Sequence, residues 1–279
     1  MFTLIQTSED LRLLNEELLE CHYVALDTEF RRTSKENIKL ALLQVNDAKE
    51  VYLIDCLKIE ATREVCSFLS SPQVKKIFHS CKEDMEALYS WTNFEVSNVY
   101  DTQVANSLLG GVFSISYQGL VEDLLGLRIS KDETRTNWLR RPLTEAQLSY
   151  AVSDVLYLID LYKLQKEELQ NTNKLDWLEE ELNQSPDLEQ LFESQNNRLF
   201  RLEKKDEKEI LFQFDKIVKR ISKAQEVNPT LFFSKQNQKA LLDTVLYSGT
   251  RIGFKTLTKW RTGLIKEPLT LLLKSFGVT

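Results

Sequence analysis

Tyr23-Val24-Ala25-Leu26-Asp27-Thr28-Glu29-Phe30 is the stretch on which the reading of this chain turns. Its apolar, β-favouring start predicts a buried central strand, and two acids then follow two residues apart. Successive side chains of a strand point to opposite faces, so Asp27 and Glu29 share one face. Two like charges side by side in a buried setting repel and lose hydration unless a cation neutralises them. The alternative is a strand that ends at Leu26 and leaves both acids in water; this segment alone does not choose between the two.

Around this strand the first half of the chain alternates strand-like and helix-like segments. Leu11–Leu19 reads as a helix, Leu40–Val45 and Val51–Ile54 as strands. A helix around Ala61–Leu69, a strand at Val74–Phe78 and a helix from Cys81 to Trp91 follow. Three neighbouring strands with helices after them predict an α/β fold, a mixed sheet flanked by helices. From Leu143 the pattern is helical. Thr144 with Gln147 forms a capping box, and one helix is expected to run on to about Gln170. Asn171–Glu209 is polar and charge-rich, contains Pro186 and reads as helical linker; Phe212–Phe276 reads as a second, smaller helical unit. The expected organisation is therefore residues 1–172, a linker over 173–209 and a helical module over 210–279.

The net charge of −6 hides an asymmetry. From Phe200 onward there are 16 Lys and Arg against 8 Asp and Glu, a balance of +8, leaving 20 against 34 before it. A basic C-terminal part beside an acidic first part is a hint of polyanion binding, and equally the mark of a solvated basic face. The four cysteines, Cys21, Cys56, Cys66 and Cys81, form no C-x-x-C pair, and with two histidines they argue against zinc. No signal-like start and no membrane-spanning run occur, so a cytoplasmic, monomeric protein with no membrane partner is expected.

Two further acids fall where a purely structural helix would not place them. Ser80 with Glu83 reads as a capping box opening a helix whose polar stripe is Lys82, Glu83, Glu86 and Ser90. Asp84 falls off that stripe, with Cys81, Leu88 and Trp91, so it needs a partner: a hydrogen bond, an ion pair or a metal. In the helix after Thr144 the stripe is Ser149, Ser153, Asp160 and Lys163. Asp154 lies off it, one turn beyond Tyr150 on the same face. Converging carboxylates are the ligand set that Mg²⁺ takes, and a pair of such ions suits in-line phosphodiester cleavage. The residues themselves reach a divalent metal site, and not yet a substrate.

At these positions the chain resembles the ribonuclease D family of DEDD exonucleases. Val24–Phe30 resembles the family's first motif, D-x-E in a strand. Ile77-Phe78-His79-Ser80-Cys81-Lys82-Glu83-Asp84 resembles the second, and Tyr150-Ala151-Val152-Ser153-Asp154 the third, Y-x-x-x-D. Trp138-Leu139-Arg140-Arg141-Pro142-Leu143 is similar to the family's W-x-x-R-P-L segment. Tyr100-Asp101-Thr102-Gln103 is similar to its D-T step, where Asp101 also has a plain explanation as a helix N-cap.

The resemblance implies a ribonuclease H-like fold and a 3′→5′ exoribonuclease acting on single-stranded RNA ends, transfer-RNA precursors among them. Asp27, Glu29, Asp84 and Asp154 would hold two Mg²⁺ or Mn²⁺ ions, with Tyr150 steering the attacking water. His79, Trp138, Arg140 and Arg141 are candidates for touching nucleic acid, with a hydrogen-bonded strand-end histidine as the alternative for His79. Leu257–Leu264 resembles a helicase-and-RNase-D C-terminal (HRDC) domain, which implies phosphate contacts from Lys255, Lys259, Arg261 and Lys266, with Trp260 as core. Two rival functions stay open: a DNA 3′→5′ exonuclease and a non-catalytic binding module.

Overall fold

The computed structural model describes residues 2–34, 37–129, 136–183 and 198–278. The chain divides into two compact units, residues 1–105 with 114–167, and residues 106–113 with 168–279.

The first unit is built on a six-stranded mixed sheet in the order β1-β4-β3-β2-β5-β6. The strands are β1 (Phe2–Ile5), β2 (Tyr23–Ser34), β3 (Asn37–Asn46), β4 (Val51–Ile54), β5 (Lys75–Phe78) and β6 (Val99–Asp101). β2, β3 and β4 form an antiparallel meander, while β1 joins β4, β5 joins β2 and β6 joins β5, all in parallel. The acid-bearing strand is thus central, as its apolar start predicts. It continues past Leu26 for eight residues, and the alternative of a strand ending there is excluded. One face of the sheet is covered by α1 (Ser8–Leu19), α2 (Arg63–Ser70) and α3 (Lys82–Thr92) around a core that includes Val24, Leu26, Leu40, Phe68, Phe78 and Leu88. After β6 come α4 (Thr102–Leu108), α5 (Tyr117–Leu125), α6 (Glu145–Leu156) and α7 (Leu158–Asn171). Tyr162 of α7 packs its ring against Tyr23 and Tyr100 of the sheet.

Two irregularities shape this unit. Between β2 and β3 the register jumps from Glu29↔Leu42 to Phe30↔Leu40, so Ala41 is an extra residue, a β-bulge. The helix expected to run unbroken from Thr144 to about Gln170 is instead broken at Tyr157, into α6 and α7. The cause is Tyr117: its hydroxyl donates to the Ser153 carbonyl (3.1 Å) and accepts the Tyr157 N–H (3.0 Å). Those two groups would bond each other in a continuous helix, and a side chain inserted in the ladder bends it. Asn46 Nδ2 then takes the freed Val155 carbonyl at 3.0 Å.

The second unit is helical: α8 (Leu175–Leu182), α9 (Lys204–Gln225), α10 (Pro229–Phe233), α11 (Lys235–Ser248), α12 (Thr250–Lys255) and α13 (Lys259–Ser275). α8, within the expected linker, packs on α13: Trp177 stacks on Trp260 with ring centroids 4.8 Å apart. Part of that linker, residues 184–197 with Pro186, lies outside the described residues. All four cysteines are free thiols, and among the described residues no helix is long and apolar enough to cross a membrane.

Candidate active site

β2 carries Asp27 and Glu29 on one pleated face, and α6 brings Asp154 to them. One carboxylate oxygen from each of the three lies within 4.8 Å of the others. Asp84, in the first turn of α3, adjoins the group and is buried. Its carboxylate accepts the hydroxyl of Thr28, the residue between the two strand acids. All four acids are pushed up from their ordinary range. Lost hydration leads in each case, with the charges of Asp84, Asp154 and Glu29 adding to it at Asp27, and those of Asp154 and Asp84 at Glu29. Glu29 rises to about 9, Asp84 to about 7 against the pull of Thr28, and Asp154 to about 7 against the pull of Tyr150. The Tyr150 phenol sits beside Asp154 and is raised by burial and by that neighbouring charge.

Among the described residues, no Lys or Arg forms a salt bridge to any of these four acids. Gln44, directly across the ladder from Asp27, is fully buried, and among the described residues neither of its side-chain amide atoms has a hydrogen-bond partner. Hard oxygen donors, repelling charges and an orphaned amide fit a divalent cation with its water, which would reverse the sign of the electrostatic problem.

Several supports of the site are non-local. The capping box expected at Ser80 does not form: Ser80 has φ +63°, Cys81 occupies the N-cap and no side chain of that segment caps α3. Asp101 does so from β6, accepting from the N–H groups of Ser80 (3.0 Å) and Cys81 (2.8 Å). The same carboxylate caps α4 through Gln103 N–H at 2.8 Å, the N-cap role its sequence suggested. One buried acid thereby ties down the turn that aims Asp84.

Other candidate residues are engaged within the protein. Arg141 is not free for phosphate. Its guanidinium grips the Asp55 carboxylate with two bonds (2.7 and 2.8 Å) and donates to the Ala41 carbonyl released by the bulge (2.8 Å) and to Trp138 C=O (2.7 Å). Trp138 is buried with its ring 6.0 Å from that of Tyr150, against which it packs, and its indole N–H has no hydrogen-bond partner among the described residues. His79 uses both ring nitrogens, on Thr102 Oγ1 and the Ile115 carbonyl, each at 2.9 Å, and burial depresses its pKa. It is the strand-end clamp of the alternative reading.

Arg261 is buried, bonded to Glu181 (2.7 Å) and to the carbonyls of Phe232 and Leu231, which removes it from any phosphate-binding face. Trp260 is core, as expected, while Arg140, Lys255, Lys259 and Lys266 are exposed. Thr28, Gln44, Asp55 and Tyr117 were not anticipated as parts of the site, and Asp101 was expected only as the N-cap of the helix after it. Besides Asp101, only Thr28, between the two acids, had a sequence signal.

A central strand with paired acids, met by an acid and a tyrosine one turn apart on a helix, defines the carboxylate nucleases built on a ribonuclease H-like sheet. The chain belongs to the 3′-5′ exonuclease family, whose pattern matches residues 2–170. It is similar to ribonuclease D of Shewanella sp. (strain ANA-3), 40% identical over 181 residues, which cover 65% of this chain and 47% of that protein. The chain thus spans about half the length of that relative. In fold it resembles the crystal structure of Escherichia coli RNase D, described as an exoribonuclease involved in structured RNA processing, with TM-score 0.62 at 23% identity; the match covers 100% of this chain and 76% of that one. It also resembles Brucella melitensis NrnC with bound Mg²⁺, with TM-score 0.58 at 21% identity, covering 72% and 98%.

Proposed function

We propose that this protein is a divalent-metal-dependent 3′→5′ exoribonuclease that shortens single-stranded RNA ends, releasing nucleoside 5′-monophosphates. The carrying observation is the convergence of Asp27, Glu29 and Asp154 within 4.8 Å, with all three carboxyls raised. Asp27, Glu29, Asp84 and Asp154 would hold two Mg²⁺ or Mn²⁺ ions, a reading supported by the Mg²⁺ in the NrnC neighbour. When bound, such ions acidify the attacking water and neutralise charge on the scissile phosphate.

The protein's own part is positional. Tyr150, fixed between Trp138 and Asp154, hydrogen-bonds the attacking water and holds it in line with the scissile P–O3′ bond. The water oxygen bonds to phosphorus and the P–O3′ bond breaks. The upstream nucleotide keeps a 3′-hydroxyl, and the terminal nucleotide leaves with the phosphate on its 5′ oxygen. RNA is favoured over DNA by the name of the Shewanella relative, and RNA precursors with single-stranded 3′ ends, transfer-RNA precursors among them, are the substrate class. The exposed Lys255 and Lys259 of the helical unit would add sequence-independent phosphate contacts.

The test is digestion of 5′-labelled and 3′-labelled RNA beside a DNA of matched sequence, with Mg²⁺, Mn²⁺ or EDTA and with Asp154→Asn. Mononucleotide release from the 3′ end of RNA, lost in EDTA and in the variant, is the expected result. Binding without degradation under either metal would overturn the enzyme reading, and faster loss of the DNA would overturn the choice of sugar.

A further inference from the structure

β2 does not stop at its acids. Arg31 stands two residues past Glu29, on the same pleated face as Asp27 and Glu29 and about 7 Å further along the strand. Its cross-strand partner is Lys39. That pairing is a product of the bulge. Were Ala41 paired in regular register instead of bulged, the pleat of β3 would turn Leu40 toward the acid face and Lys39 toward the core. With the bulge, Leu40 and Ile38 join the core beside Phe30, and Lys39 shares the face of Arg31.

Two cations directly opposite one another on a ladder destabilise it, and an anion between them would relieve the repulsion. The protein offers none among the described residues: both side chains are exposed, and neither makes a hydrogen bond or salt bridge. The neighbouring arginine shows what pairing looks like here. Arg32, on the opposite face, is bonded to Glu86 at 2.6 Å and lies 3.8 Å from Glu83.

We infer that Arg31 and Lys39 form a phosphate subsite that grips the backbone of the substrate strand upstream of the scissile bond. The inference rests on the exonuclease reading of the neighbouring acids. With the scissile phosphate of a 3′-terminal nucleotide at Asp27 and Glu29, every other phosphate of the strand lies on its 5′ side, so a phosphate held by these two side chains is an upstream one. The subsite is indifferent to base and sugar, because it touches backbone charge alone. It acts on strands long enough to reach it, and it sets affinity rather than the rate of the chemical step.

The experiment compares the wild type with Arg31→Gln/Lys39→Gln, and with Lys49→Gln/Lys163→Gln as an equal-charge control. Lys49 and Lys163 are exposed at the other end of β2, beside Asn46 and Tyr23. Binding of a fluorescent single-stranded RNA decamer is measured across a salt series with Ca²⁺ in place of Mg²⁺, so that this arm stands whether or not RNA is turned over. Loss of two phosphate contacts lowers the slope of log K against log salt by about 1.4 and raises Kd on the order of tenfold at low salt. In the matching digest with Mg²⁺, KM for the decamer rises while turnover of a 5′-hydroxyl dinucleotide, which has no upstream phosphate, is unchanged. An unchanged slope and Kd, an equal effect in the control pair, or an equal loss on the dinucleotide would each overturn the subsite. Failure of the wild type to release mononucleotides would overturn the exonuclease reading alone.

Discussion

Removing divalent ions while raising the pH will destabilise the unit that carries the four acids. An acid whose folded pKa is raised keeps its proton in the folded protein after the unfolded chain has lost it. The folded state then binds more protons, and stability falls as pH climbs from the unfolded value near 4 up to the folded value. The window is set by Asp84 and Asp154, which rise to about 7, and by Glu29, at about 9, with desolvation the leading cause in each. For Asp154 alone, which is buried, the loss between about pH 5 and pH 8 is on the order of 3 kcal/mol.

A cation that binds only the folded form restores stability, by about 2.7 kcal/mol at a hundredfold excess over its Kd, or roughly 5–10 °C in Tm. It also expels the protons the acids hold, on the order of two to three near pH 6.5. Thermal unfolding over a pH series in EDTA and in saturating Mg²⁺ or Mn²⁺ reads the first effect. Titration calorimetry in buffers of different ionisation enthalpy reads the second. A metal-free Tm that is flat or rising across this window, together with metal binding that releases no protons, would refute the assignment of these carboxylates as the cation site.

Further outcomes are expected. Tyr150→Phe lowers kcat on the order of a hundredfold while metal-induced stabilisation stays intact, as steady-state kinetics and melting curves together would show. Thr28→Val takes the hydroxyl from Asp84, so its carboxyl rises further and metal affinity falls roughly ten- to a hundredfold by calorimetry. Arg141→Ala leaves the buried Asp55 charge unpaired and lowers stability by about 3–5 kcal/mol in denaturant unfolding, with part of the loss recovered in the double variant Arg141→Ala/Asp55→Asn. Arg261→Ala costs a similar amount, through Glu181, whereas Lys255→Gln/Lys259→Gln leaves Tm within a degree or two and weakens only long-RNA binding at low salt.

The carriers of the chemistry were legible because their signals are local. The apolar run before Asp27 and Glu29 marks a buried strand, and the helical phase of Asp84 and Asp154 turns both off the solvent stripe. The misread residues share a different property: their partners are far away in sequence. Arg141 and Arg261 look like free cations until Asp55 and Glu181, each about eighty residues distant, take them up. Ser80 and Glu83 have the spacing of a capping box, yet Asp101 reaches the N–H groups of Ser80 and Cys81 from twenty residues on and renders the local cap redundant. The helix through Asp154 reads as continuous because nothing within it demands a break; the break is made by Tyr117, forty residues before Tyr157.

These distant contacts have a common logic that bears on catalysis. Each satisfies backbone groups that regular secondary structure has released. Arg141 takes the carbonyl freed at the Ala41 bulge, Tyr117 bridges the opened turn after Asp154, and Asp101 collects the loose N–H groups ahead of Asp84. The acids themselves repel one another, so no attraction among them can fix the site's geometry. Order has to come from the elements that carry them, and it comes at the points where a strand bulges, a helix breaks and a helix begins. A metal site that must hold its ligands against mutual repulsion needs such supports outside the ligand shell. For the same reason, residues outside the carboxylate set, Arg141 foremost, are expected to be as intolerant of change as the acids they position.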